Sequence, residues 1–153
     1  MARMSDLPDY EQAFLMKMPM PTFDSQPWVE GPSLRERRVA LVTTAGLHKL
    51  NDRPFSVGIP DYRLIPNDVK ADELVMSHIS VNFDRSGFQQ DMNVAAPVDR
   101  LREMEADGEI GSLGTYHYSF MGAADPAALE PHVRALAGVL KADNVDSVVL
   151  TGV

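Results

Sequence analysis

Cysteine is absent from the 153 residues, which excludes disulfides, thiolate metal sites and thiol catalysis within the chain. Positive charge is scarce: 14 Lys and Arg stand against 22 Asp and Glu, for a net charge of -8. With a pI near 4.8, the chain lacks the basic surface that nucleic-acid phosphates require or that an anionic membrane attracts. No apolar run approaches the roughly 18 residues of a membrane helix. The opening MARMSDLPDYEQ has no apolar core of the signal-peptide kind. A cytoplasmic protein with no nucleic-acid or membrane partner is expected. The G-x-G-x-x-G and G-K-[ST] patterns are also missing, so nicotinamide, flavin and ATP are not expected.

What is present is an ordinary globular composition, 44% hydrophobic and 24% charged, in a chain long enough for one domain with a real core. Residues 1–36 read as an N-terminal arm. Asp9 to Lys17 can form a helix with Phe14, Leu15 and Met18 on one side. Pro19, Pro21, Pro27 and Pro32 then forbid a continuous helix or central strand. Trp28 and Phe23 are expected to pack this arm on its own domain, the alternative being that it reaches a partner.

The domain proper, residues 37–153, opens with Val39-Ala40-Leu41-Val42-Thr43-Thr44, a buried strand ending in Ala45-Gly46. Tyr62 to Ile65 reads as a second strand stopped by Pro66. Asn67 or Asp68 is placed to cap a short helix through Leu74, and Val75 to Ser80 reads as a strand. Val98, Leu101 and Met104 recur every three residues between Pro97 and Gly108, which predicts an amphipathic helix. Its charges, Asp99, Arg102, Glu103, Glu105, Asp107 and Glu109, read as a solvated face. Thr115 to Phe120 alternates as a strand. Asp125-Pro126 starts a helix carrying Val133, Leu136, Ala137 and Leu140 on one side, with a second start or kink at Pro131. Ser147 to Thr151 is the last strand. Alternating strands and helices predict an α/β fold: a mainly parallel open sheet with flanking helices, Rossmann-like and three-layered, behind the proline-rich arm.

In such sheets ligands bind beyond the carboxyl ends of the strands. The segments to watch are therefore 43–48, 80–84, 119–122 and 151–153. Thr43, Thr44, Gly46 and His48 can hold a carboxylate or phosphate through turn amides and hydroxyls; an ordinary turn with Gly46 at positive φ fits equally. His48, His78 and His117 lie at strand ends and can contact substrate, whereas His132 reads as a helix-surface residue. Without H-x-x-x-H or H-E-x-x-H spacing a metal is not expected. Ser119 lacks the G-x-S-x-G elbow of a hydrolase nucleophile. Phe120 and Met121 can wall a small apolar pocket, and Gly122 can let backbone approach a ligand; core followed by a turn is the alternative. Thr151 joins these substrate-contact candidates from the last strand.

The order of these segments carries a resemblance. Residues 37–48 (RRVALVTTAGLH), 62–66 (YRLIP), 77–80 (SHIS), 99–102 (DRLR), 108–113 (GEIGSL), 117–122 (HYSFMG) and 145–153 (VDSVVLTGV) together resemble the selenoprotein B subunits of glycine, sarcosine, betaine and D-proline reductases. The resemblance covers about residues 36–153. It implies a subunit of a multi-subunit oxidoreductase that cleaves a C–N bond reductively, drawing on a dithiol/disulfide couple. It further implies a selenocysteine or cysteine nucleophile just after the strand matching Val148 to Leu150, and a pyruvoyl group on a partner subunit. The nucleophile is thus expected beyond Val153, with a UGA codon read as stop as one expected cause. The isolated chain is expected to be inactive, and Val148, Val149 and Leu150 to be covered by self-association or rearrangement. Two other readings remain: a non-catalytic module binding a partner through its arm, and an enzyme of another α/β family such as a racemase or lyase.

Overall fold

The computed structural model describes residues 3–17, 22, 24–80 and 85–153. In chain order they form α1 (Asp9–Leu15), β1 (Arg38–Thr43), β2 (Leu47–Lys49), β3 (Arg63–Pro66), β4 (Leu74–Met76), α2 (Ser86–Gln90), α3 (Val98–Ala106), β5 (Ser112–Leu113), β6 (Tyr116–Ser119), α4 (Pro126–Ala142) and β7 (Ser147–Thr151).

The uninterrupted apolar run of β1 is the sequence of a strand covered on both faces. It is central: β7 runs parallel to it on one side, β5 and β6 parallel to it on the other. β5 and β6 act as one interrupted strand, pairing Val39 with Leu113 and then Val42 with Tyr118. At the interruption the imidazole of His117 takes the place of a ladder carbonyl: its Nδ1 accepts the Leu41 N–H at 3.1 Å. Side chains alternate about the sheet. Val39, Leu41 and Ile65 face α3 through Val98 and Leu101, while Ala40, Tyr118 and Phe120 face α4 through Leu136.

The α/β class holds, but the mainly parallel, Rossmann-like sheet does not. β3 lies antiparallel on the outer side of β6, and β2 and β4 form a separate antiparallel ladder. A parallel return needs a crossover of a dozen or more residues, usually a helix. After β1 the chain instead turns at Gly46 (φ 65°) straight into β2. The helix expected over residues 67–74 is only a 3-10 turn, Ala71–Glu73. Asn67 is engaged elsewhere: its carbonyl accepts Arg102 and its Oδ1 meets His117 Nε2 at 3.3 Å. The strand expected through Ser80 stops at Met76: the Ser77 N–H adds one more bond in register, to the Gly46 carbonyl at 2.9 Å, and there the partner strand ends at the Gly46 turn.

Among the described strands β7 pairs with β1 only, and Leu150 is 76% exposed. Two further expectations need correction. The charged side of α3 is not wholly solvated. Arg102 ties the Asn67 and Val69 carbonyls, and Glu105 accepts the Leu113 N–H at 2.9 Å. Trp28 does not pack the N-terminal segment onto the domain, being 88% exposed. Met18, Pro19, Pro21 and Phe23, like residues 81–84, lie outside the described residues. α4 starts as read, with Asp125 accepting the Ala127 N–H at 2.9 Å, but it does not start a second time: Pro131 lies inside one continuous helix. No helix among the described residues is long and apolar enough to cross a membrane.

Candidate functional site at the carboxyl edge of the sheet

The turns that leave β1, β6 and β7 lie side by side. Phe120 N–H donates to the Thr43 carbonyl, Gly46 N–H to Phe120 and Gly122 N–H to Thr44, each at 2.8 Å. Thr44 N–H donates to the Thr151 carbonyl at 3.1 Å, and Val153 N–H to Thr44 Oγ1 at 2.9 Å. The sequence candidates Thr43, Thr44, Gly46, Ser119, Phe120, Met121, Gly122 and Thr151 are thus brought together. Close approach is required at Gly122, where a Cβ would stand 2.8 Å from the Val153 carbonyl.

Their side-chain oxygens are committed to one another and to the backbone. The Thr43 and Thr151 hydroxyls both donate to the Ala95 carbonyl at 2.9 Å. Ser119 Oγ accepts the Leu47 N–H at 2.8 Å, which anchors β2 over the sheet. Phe120 packs beside Tyr62 with ring centroids 5.3 Å apart, and Met121 is fully buried.

The histidines divide by role. His117 is fully buried and spans β1 and Asn67, so its Nε2 carries the proton. Burial above all, then the nearby Arg102 charge, pushes its pKa down to about 4. It is neutral near pH 7 and serves the sheet. His78, also buried, receives the Ser80 N–H on Nδ1 at 3.2 Å. Burial and then Arg85 lower its pKa. His48 is 3% exposed; its Nδ1–H donates to its neighbour's carbonyl at Lys49, 2.8 Å away, and its Nε2 has no partner among the described residues. His132 sits on α4. Among the described residues no three His, Asp or Glu side chains are grouped to hold a metal.

Two concavities flank this edge. A cavity of about 490 Å³ lies between the β2–β4 ladder and α2, lined chiefly by Leu47, Leu74, Met76, Phe88, Met92 and Ala95. It shares Ala95 with the threonine pair. A smaller recess of about 270 Å³ is lined by Asp52, Arg53, Tyr62, Arg63 and Leu64. Arg63 opposes Ser119 across the β3–β6 ladder, so it belongs to the same edge. Sequence reading missed both Arg63 and the Ala95 carbonyl. A lone arginine in the apolar strand 62–65 was the available signal for the first; nothing local marks the second.

The family model of the glycine/sarcosine/betaine reductase selenoprotein B matches residues 9–153. The chain belongs to this family. Among curated selenoprotein B relatives, the D-proline reductase subunit gamma of Acetoanaerobium sticklandii is 32% identical over 121 residues, 77% of this chain and 49% of that protein. The glycine reductase complex component B subunit gamma of Carboxydothermus hydrogenoformans is 34% identical over 148 residues, 90% of this chain and 33% of the relative. The betaine reductase complex component B subunit beta of Peptoclostridium acidaminophilum is 27% identical over 147 residues, 92% of this chain and 33% of the relative. The chain therefore spans about a third to a half of the length of the selenoprotein B relatives it matches. No solved structure matches it significantly.

Proposed function

We propose that this selenoprotein B chain supplies the scaffold and substrate pocket of a reductase subunit acting on glycine, sarcosine, betaine or D-proline-like amines, without carrying the nucleophile. The observation that supports this is the convergence of the turns after β1, β6 and β7 on one edge, in a chain of this family. That edge is where open α/β sheets take ligands. Thr43, Thr44, Gly46, Ser119, Gly122 and Thr151 hold the edge rigid, and Phe120 and Met121 back it from the core.

Reductive cleavage needs a strong, polarisable nucleophile on the carbon bearing nitrogen. With no cysteine among the 153 residues, the selenolate or thiolate comes from polypeptide outside them, and the amine-activating pyruvoyl group from a partner subunit. Self-association runs through the open edge of β7, where Val148 and Leu150 are 39% and 76% exposed. Mixing the chain with the remaining subunits of a family reductase and a dithiol tests the reading. Association is expected, with release of ammonia from glycine or trimethylamine from betaine only in the mixture. Turnover by the isolated chain, or failure to associate, refutes it.

A second reading, a partner-binding module, is favoured by the N-terminal segment, where Tyr10, Phe14, Met16 and Trp28 are all more than 60% exposed. Removing residues 1–33 separates the two: the module reading expects partner capture to vanish, whereas the scaffold reading expects it to persist.

A further inference from the structure

Two apolar features of this chain stand uncovered, and they begin at the same place. The first is the outer edge of β7, which among the described strands pairs with β1 only. The Thr44 N–H takes the Thr151 carbonyl at 3.1 Å. In the alternation of a parallel ladder, Ser147, Val149 and Thr151 therefore turn their peptide groups to β1, and Val148 and Leu150 turn theirs outward. The second feature is the segment 24–33. Trp28 and Val29 are 88% and 82% exposed, and Leu34 after them is half exposed. An indole carries roughly 200 Å² of surface and is seldom left in water beside other apolar groups. The Arg37 guanidinium ties the two features together: Nε donates to the Pro32 carbonyl at 2.8 Å and Nη1 to Ser147 Oγ at 2.9 Å. The segment thus leaves the domain at the amino end of β7.

An open edge of this kind is complementary to itself. Antiparallel pairing about a two-fold axis at Val149 sets Val148 opposite the partner's Leu150, and each such pair exchanges its outward N–H and C=O groups. Val148 and Leu150 then form one apolar ladder across the axis, on the face where they neighbour Ala40 and Val42. No like charges are brought opposite, since Asp146 meets the partner's Gly152. The same register sets Ser147 against the partner's Thr151, about 5 Å away. The segment held at Pro32 therefore starts beside the partner's turn seam. Extended, the four residues back to Trp28 span roughly 13 Å, enough to lie across that seam. A five-residue edge falls short of the roughly 800 Å² per partner of a stable interface. Trp28, Val29 and Leu34 supply further apolar area from each copy.

We propose that two copies join edge to edge through β7, antiparallel about Val149, and that residues 24–33 of each lie across the partner's turn seam, with Trp28 as a wall of the partner's substrate site. The inference rests on the self-association reading above and deepens it: the site of each copy is incomplete without the other.

Trp28 is the only tryptophan and cysteine is absent, so a fluorescence signal or an introduced thiol each reports alone. Light scattering on the full chain is expected to show a dimer that dissociates on dilution, with Trp28 emission moving to the red over the same concentrations. Leu150→Lys, at an exposed position, is expected to give a folded monomer whose emission is red at every concentration. Trp28→Ala is expected to weaken the dimer by more than about tenfold. Val149→Cys faces its own copy across the axis at about 4.5 Å between Cα atoms and is expected to cross-link on oxidation; Ser147→Cys, which faces Thr151, is not. A chain monomeric throughout, a dimer that survives Leu150→Lys, or a dimer with Trp28 still in water would each overturn the inference. Glycine and betaine are then titrated into the dimer. A saturable change in Trp28 emission supports the shared site, and its absence removes Trp28 from that site. Association with the remaining reductase subunits, measured on Leu150→Lys, reports separately on the scaffold reading.

Discussion

The seam of turns beyond β1, β6 and β7 and the corner beside it, where β2 meets β3, use their polar groups in opposite ways. Along the seam, the hydroxyls of Thr43, Thr44, Ser119 and Thr151 all have partners. At the corner, His48 Nε2 and Arg63 Nη2 are buried without one among the described residues. A buried polar atom left unpaired costs about 1–3 kcal/mol, more if charged. The seam is saturated and holds shape, whereas the corner carries that cost. The difference separates a fully bonded frame from a corner where packing, not hydrogen bonding, fixes the polar groups.

The largest expected effect tests the frame through acid. The His117 pKa falls from 6.5 to about 4 on folding, so the unfolded chain takes up the proton first. Stability is then fully present above pH 6.5 and is lost as pH falls toward 4, by on the order of 3 kcal/mol. His78, shifted the same way, adds to the slope. Urea denaturation at pH 7 and 4.5 should show the loss, and His117→Gln should flatten it; an unchanged slope in that variant would remove His117 from the frame.

Next in size is Gly122→Ala, which drives a methyl against the Val153 carbonyl and Thr44. A cost of about 1–3 kcal/mol is expected from overpacking, read as a lower urea midpoint at unchanged slope. Thr43→Val removes one of two donors to the Ala95 carbonyl and should cost about 1 kcal/mol. The double variant with Thr151→Val should cost more than the sum, because the carbonyl then has neither hydroxyl. Simple additivity would show that the two do not share it. The smallest effect is expected at the corner: His48→Asn keeps an amide donor in place of Nδ1 for the Lys49 carbonyl and should change stability by no more than about 1 kcal/mol, since Nε2 has no bond to lose. A large loss there would erase the contrast between the two regions.

Much of this was legible in the chain because the signals are local. Val39 to Thr43 announces a covered strand, Asp125-Pro126 a helix start, and Val98, Leu101 and Met104 a helix face, and each formed. The direction of β3 was not legible, since nothing within Arg63 to Pro66 records whether it will meet β6 head to head or head to tail. Asn67 read as a cap because its type suits one, yet His117 and Arg102, distant in sequence, claim it. The edge residues were foreseen as a set because each follows the carboxyl end of a strand, a position that is legible without knowing strand order. Which of them keep a spare bond was not, because that depends on Ala95 and Leu47, whose backbone groups bear no sequence signature. Arg63 was passed over for the same reason: its burial comes from Phe55 and the loop before β3.

The placement of β1 also governs how the polypeptide can be made. Its lateral partners are Leu113, Tyr118 and Val149, all synthesised long after it. Residues up to Leu113 must leave the ribosome before the most apolar segment finds a lateral neighbour. Closing such distant pairings is slow. During that interval Val39-Ala40-Leu41-Val42 is an unpaired, uncharged ribbon, so yield in the cell should depend on holdase chaperones and on temperature more than the finished fold's stability alone suggests.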